Sequence, residues 1–221
     1  MSVRLYQYPF SPFCIPITRI LEAADIEFTS VEIPPWDRSA IIEATRGEYY
    51  QVPLLVSDGE VVFESSGDSQ DVAQYVDRRF VPGRLFPPSA AGLHEILLRY
   101  LEHEVEEISF RISDPDRTFA IPDLVSRTMM IRFKERKFGR GCVDLWARQK
   151  SELLAQLVGL LAPVEARLRQ SRWLLSNEAP VYADFLLFGL MGNITHGGYT
   201  EVPKELSAIR DHIARLATYR F

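Results

Sequence analysis

Cysteine is scarce: two in 221 residues, Cys14 and Cys142, far apart in the chain. That excludes a disulfide framework and fits a reducing compartment. Histidine is scarce too, at four. His103-Glu104 has no second histidine four residues later, and Cys142 has no cysteine or histidine close by, so no metal is expected. There is no glycine-rich phosphate loop, internal repeat or low-complexity tract. No apolar run is long enough to span a bilayer. The opening Met-Ser-Val-Arg-Leu-Tyr lacks the apolar stretch of a secretory leader, so a cytoplasmic protein with no membrane partner is expected. Positive charge does not dominate either. The 25 lysines and arginines face 30 aspartates and glutamates, a net charge of −5, with a pI near 5.5. Such a surface repels a phosphate backbone, so no nucleic acid partner is expected.

What is present is an ample core: 47% of the residues are hydrophobic, an ordinary share for a globular chain. The first eighty residues alternate strand and helix signals. Val3–Tyr8 has strand chemistry and stops at Pro9, and Ile17, Ile20, Leu21 and Ala24 recur at helical spacing. Phe28–Ile33 reads as a second strand, ended by Pro34-Pro35. Ser39–Thr45 is a short helix closed near Gly47. Pro53–Val56 and Val61–Phe63 flank Asp58-Gly59, a strong hairpin signal, and Ser69–Phe80 is helical. The order is βαβαββα. Pro82, Gly83, Pro87 and Pro88 then form a joint. Beyond it five segments with helical periodicity follow: Ala90–Arg111, Asp123–Lys137, Leu145–Gln170, Ala183–Ile194 and Pro203–Thr218. The reading is α+β, with a mixed domain over residues 1–82 and an all-helical domain over residues 89–221.

Three stretches can carry chemistry. In Tyr8-Pro9-Phe10-Ser11-Pro12-Phe13-Cys14 a strand ends and a helix begins, which places a hydroxyl and a thiol at or near a helix N-terminus. Free N–H groups and the positive end of the dipole stabilise an anion there, a thiolate included. The plain alternative is that Ser11 only caps the helix. In Gln51-Val52-Pro53-Leu54-Leu55, a proline opens a strand; in the cis form it would turn the Val52 backbone outward to pair with an extended peptide. In Glu64-Ser65-Ser66-Gly67-Asp68-Ser69-Gln70, acidic and hydroxyl residues precede a helix whose start can cap or bind a carboxylate.

Together these motifs resemble the glutathione transferase superfamily, with its thioredoxin-like N-terminal domain. Pro180-Val181-Tyr182-Ala183-Asp184-Phe185 extends the resemblance to the helical half, where Asp184 would hold a helix start. The resemblance implies that Ser11 is the activating hydroxyl for the thiol of glutathione. It also implies that Pro53 is cis, and that the Val52 backbone pairs with the cysteinyl part of glutathione. Gln51 would reach the glycyl carboxylate. Asp68 and Ser69 would hold the γ-glutamyl end, preferred over Glu64-Ser65 because they adjoin the helix, although spacing from Gly59 favours the earlier pair. Pro16 and Val181 depart from the family pattern.

Cys14 and Tyr8 are rival active groups. Phe10, Phe13, Arg99, Tyr100 and His103 are expected to line the second-substrate pocket. The basic run Arg127–Arg140 and the acidic run Glu102–Glu107 read as solvated faces, as a charged contact in a homodimer, or as a receiver for an acidic co-substrate. Three functions follow: a transferase joining glutathione to a small electrophile, a glutathione-dependent thiol-disulfide reductase using Cys14, or a non-catalytic binding protein on the same fold.

Overall fold

A computed structural model describes residues 2–65 and 70–221. Four strands form one mixed sheet in the order β2-β1-β3-β4. They are β1 (Val3–Gln7), β2 (Thr29–Glu32), β3 (Leu54–Ser57) and β4 (Glu60–Phe63). β1 pairs parallel to β2 and antiparallel to β3. Asp58 and Gly59 turn β3 into β4, both with positive φ, as their residue types favour. Helices α1 (Cys14–Ala23), α2 (Ser39–Ala44) and α3 (Asp71–Phe80) complete the mixed domain.

The remaining helices are α4 (Ala91–Arg99), α5 (Glu106–Phe119), α6 (Leu124–Phe138), α7 (Cys142–Arg148), α8 (Lys150–Gln170), α9 (Tyr182–Thr195) and α10 (Ser207–Ala217). A π-helical turn over Tyr100–Val105 joins α4 to α5. The helical periodicity read from the sequence runs over Ala90–Arg111 and stops there. The structure instead carries it through to Phe119 with Pro115 inside. A proline there removes one helical hydrogen bond, and tertiary contacts of its neighbours Ser113 and Asp114 hold the turn in place. The long helix expected over Leu145–Gln170 is divided at Gln149. Among the described residues, no helix is long and apolar enough to cross a membrane.

Pro16 fits without strain. α1 begins at Cys14, so Pro16 lies in the first turn, where its missing N–H has no helical partner to lose. The proline-rich joint is tied down as well: both Asp77 carboxylate oxygens accept, from Gly83 N–H (3.2 Å) and Leu85 N–H (2.7 Å). Buried Asp184 accepts from Leu174 N–H and Val181 N–H, each at 2.9 Å. One carboxylate oxygen therefore holds the start of α9, the structural role the sequence suggests, without a hydroxyl at Val181, and the other ties in the loop at Leu174.

His94 of α4 is buried against Phe86, and its Nε2 accepts the Ala183 N–H at 3.0 Å. Acceptance requires an unprotonated Nε2. Burial lowers its pKa to about 4, against ~6.5 in an unfolded chain. The neutral ring's contribution is thus complete above pH ~6.5. It is lost as pH falls towards 4, because the unfolded chain takes up the proton first. His212 shifts in the same direction, also to about 4 and mainly through burial. The expected loss at His94 is up to roughly 3 kcal/mol between pH 7 and 4. Urea unfolding across that range should show a smaller loss in His94→Gln than in the unmodified protein; equal losses would refute the linkage.

Candidate active site

Between the mixed domain and the helices lies a cavity of about 910 Å³. Its floor comes from the turn between β1 and α1. Ser11 N–H donates to the Tyr8 carbonyl (2.9 Å), closing the turn, and the Ser11 carbonyl accepts from Cys14 N–H and Ile15 N–H (3.1 Å each). The Ser11 hydroxyl oxygen accepts from Phe13 N–H and Cys14 N–H, both at 3.3 Å. Ser11 therefore caps α1, as the plain reading of the sequence has it. The cap uses the oxygen as acceptor and leaves the hydroxyl proton to donate. Ser11 is buried yet lines the cavity.

Cys14 is fully buried and does not line this cavity. Burial pushes its thiol up to about 12. At neutral pH it is a protonated thiol. Tyr8 does line the cavity, stacked on Phe10 with ring centroids 5.6 Å apart. Its hydroxyl is buried and has no hydrogen-bond partner among the described residues. Burial raises its pKa, opposed by the charge of Arg38.

Gln51, Val52 and Pro53 line the same cavity, and the Val52–Pro53 peptide is cis. Asp68 and Ser69 lie outside the described residues. Glu64, the other acid weighed from spacing, is in the cavity wall. Its Oε2 accepts Asp71 N–H, at the start of α3, at 2.6 Å. Burial raises its pKa to about 8, with the Asp71 charge adding to the rise and the Asp71 N–H bond opposing it. Ser65 donates its N–H and hydroxyl to Asp71 Oδ2 at 2.8 and 2.9 Å.

The helical wall differs from expectation. Phe10 and Phe13 line the cavity, but Arg99, Tyr100 and His103 do not. The Tyr100 hydroxyl is spent on the Leu160 carbonyl. The lining comes from one to four turns further on: Glu106, Phe110, Asp114 and Arg117 of α5. Their spacing of four, four and three marks one helix face, a signal obscured by the turn-like composition around Pro115. α6 adds Phe133, Lys134, Arg136, Lys137 and Phe138.

Asp114 pairs with Arg117 (2.6 Å) and with Lys134. Burial alone would raise its carboxyl; the two cations outweigh it and hold it below the usual range. Arg117 also stacks over Phe10 at 4.6 Å and donates to the Asn193 carbonyl at 2.8 Å. Asn193 of α9 donates from Nδ2 to the Phe10 carbonyl at 2.6 Å. Arg38 lies across the opening, 4.5 Å from the Phe133 ring and 5.8 Å from that of Tyr8. A smaller cavity of about 360 Å³ adjoins, between Phe10, Pro34, Trp36 and Ile121, with Asp114 and Arg117 common to both. Among the described residues no three histidine, cysteine, aspartate or glutamate side chains are grouped as a metal ion requires.

No curated protein sequence matches the chain. Residues 5–84 match the family of the glutathione S-transferase N-terminal domain. Among solved structures, a glutathione S-transferase of Ceriporiopsis subvermispora in complex with glutathione is similar at 15% identity. The likeness covers 99% of this chain and 98% of that one, with a TM-score of 0.81. The glutathione transferase GSTFuA3 of Phanerochaete chrysosporium is 15% identical over 100% and 98%, with a TM-score of 0.80. Glutaredoxin 2 of Salmonella typhimurium in complex with glutathione is 21% identical over 97% and 94%, with a TM-score of 0.71. Residues 5–84 thus match the glutathione S-transferase N-terminal domain, and over its whole length the chain shares the thioredoxin-like and all-helical fold of glutathione S-transferases.

Proposed function

We propose that the protein binds reduced glutathione and transfers its thiolate to a small electrophile, with Ser11 as the activating donor. The observation that carries this reading is the contrast at the start of α1. Ser11 lines the cavity, whereas Cys14 does not, and its thiol is buried and raised to about 12. A thiol that stays protonated is a poor nucleophile, which weighs against a reductase built on Cys14. The Ser11 hydroxyl has its oxygen engaged by two N–H groups, and such engagement makes its own proton a better donor.

The cis Val52–Pro53 peptide supports backbone pairing with the cysteinyl part of glutathione, and Gln51 stands beside it for the glycyl carboxylate. Glu64 is the acid available to the γ-glutamyl ammonium; an ammonium beside it would draw its pKa back down and stabilise the pair. Asp68 and Ser69 remain proposed for the same end of the peptide. In the reaction the thiolate sulfur supplies the electron pair of a new C–S bond. A leaving group departs with its own pair, or an adjacent carbanion takes a proton from water, and nothing is oxidised. Two free, buried cysteines support a reducing, cytoplasmic setting.

The family fold also supports a homodimer. Leu93 and Ile96 on α4 are 68% and 67% exposed, an apolar face a second copy would cover. Sedimentation equilibrium at micromolar concentration should give about twice the 25.3 kDa chain mass; a monomer at every concentration would remove the proposal.

Conjugation rates with a neutral aryl halide separate the candidate active groups. Ser11→Ala should lower kcat/KM by about ten- to a hundredfold, the value of one charge-assisted hydrogen bond. Cys14→Ser should retain most of the activity, and Tyr8→Phe should change it less than Ser11→Ala. Loss of activity in Cys14→Ser with Ser11→Ala unaffected would point to the reductase reading instead.

A further inference from the structure

The cavity is cationic inside an acidic protein. The chain carries net charge −5, a long-range field that repels anions. Yet five of its cations line this one cavity, against three acids. Two of the five, Arg117 and Lys134, are consumed by Asp114. The other three, Arg38, Arg136 and Lys137, have no ion-pair partner among the described residues.

The two remaining acids do not balance them. Glu64 belongs to the mixed-domain wall, beside the start of α3, where its Oε2 accepts Asp71 N–H. Glu106 is half-buried, and desolvation raises its pKa to about 7 even though Lys134 and Lys137 oppose the rise. The unpaired cations are set among aromatic rings. Arg136 stands 5.8 Å from the Phe133 ring and Lys137 5.1 Å from that of Phe138. Phe110 packs against Phe138 at 5.2 Å. A flat, apolar body carrying one negative group would fill the rings and meet the charge. The pair Arg136 and Lys137 is on α6, opposite the mixed-domain wall that bears Ser11, Val52 and Glu64.

We propose that the second substrate is an aromatic electrophile bearing a carboxylate, received by Arg136 and Lys137 on the helical wall. This rests on the glutathione-transfer reading and names the substrate class for the same site. The competing source of a carboxylate is glutathione itself, which brings two.

Calorimetric titration with chloronitrobenzoate and chloronitrobenzamide, alike except for the charge, decides the matter. Each is measured on the protein alone and on protein saturated with unreactive S-methylglutathione. The benzoate should bind about five- to tenfold more tightly than the amide in both states, as one or two partly exposed ion pairs allow. Arg136→Gln combined with Lys137→Gln should bring that ratio close to one. Both side chains are exposed, so the variant is expected to fold. Equal binding of the two probes, an unchanged ratio in the double variant, or a preference that vanishes once S-methylglutathione is bound would overturn the proposal; the last outcome would assign the cations to glutathione. A benzoate preference in a protein that does not bind S-methylglutathione would support the anion site while refuting the transfer reading.

Discussion

Helix α9 runs so close to the turn bearing Ser11 that its residue 189 has no room for a side chain. A Cβ on Gly189 would stand 2.2 Å from the Pro12 carbonyl oxygen and 2.6 Å from the Pro16 ring. At Gly192 a Cβ would meet Ile15 at 3.1 Å. Glycine in a helix costs about 1 kcal/mol relative to alanine, and here it allows backbone-to-backbone contact between the two domains. One turn along, Asn193 takes the Phe10 carbonyl. That carbonyl and the Ser11 N–H belong to one peptide unit, whose other end is fixed on Tyr8. The position of Ser11 is thus set from both sides: by the strand that leads into it and by a helix more than 170 residues later. The caps that hold α9, Asp184 and His94, are part of the same support.

The start of α1 divides the labour between the two thiol-relevant residues. Cys14 is buried in the mixed domain with Ile33, Ile41, Val52 and Leu54, which denies its thiolate solvation. Ser11, three residues earlier, stays at the cavity edge. Across the cavity the mixed domain offers Ser11 and the Val52–Pro53 backbone beside Arg38, Glu64 and aromatic rings, while the helical wall adds most of the positive charge. The ion-paired core of that wall, Asp114 with Arg117 and Lys134, fixes α5 to α6. Arg117, stacked on Phe10 and bonded to Asn193, couples the wall back to the Ser11 turn.

The mixed domain was legible in the sequence because its signals are local: alternating strand residues, Asp58-Gly59 at the hairpin, prolines at the edges. Ser11 and Pro53 stood out for the same reason, each tied to a strand end. The helical wall did not. Pro115 has the look of a helix stop, and only the ion pairs of Asp114 with Arg117 and Lys134, together with the Ser113–Asn193 bond, show why the helix continues. Asn193 lies in an almost wholly apolar helix, and nothing nearby in sequence indicates that its amide serves a turn 183 residues away. The basic run of α6 was visible as charge. Which of its members face the cavity depends on how α6 packs, which no local pattern encodes.

The central claim is that this packing presents the Ser11 hydroxyl to a thiolate. The direct measurement is the ultraviolet thiolate absorbance of bound glutathione, titrated with pH in the unmodified protein and in Asn193→Ala. The account predicts a bound thiol one to two pH units below the ~8.5 of a free thiol, with part of that shift lost in Asn193→Ala as the Phe10–Ser11 peptide is released. A bound thiol that titrates as it does in free solution would contradict it.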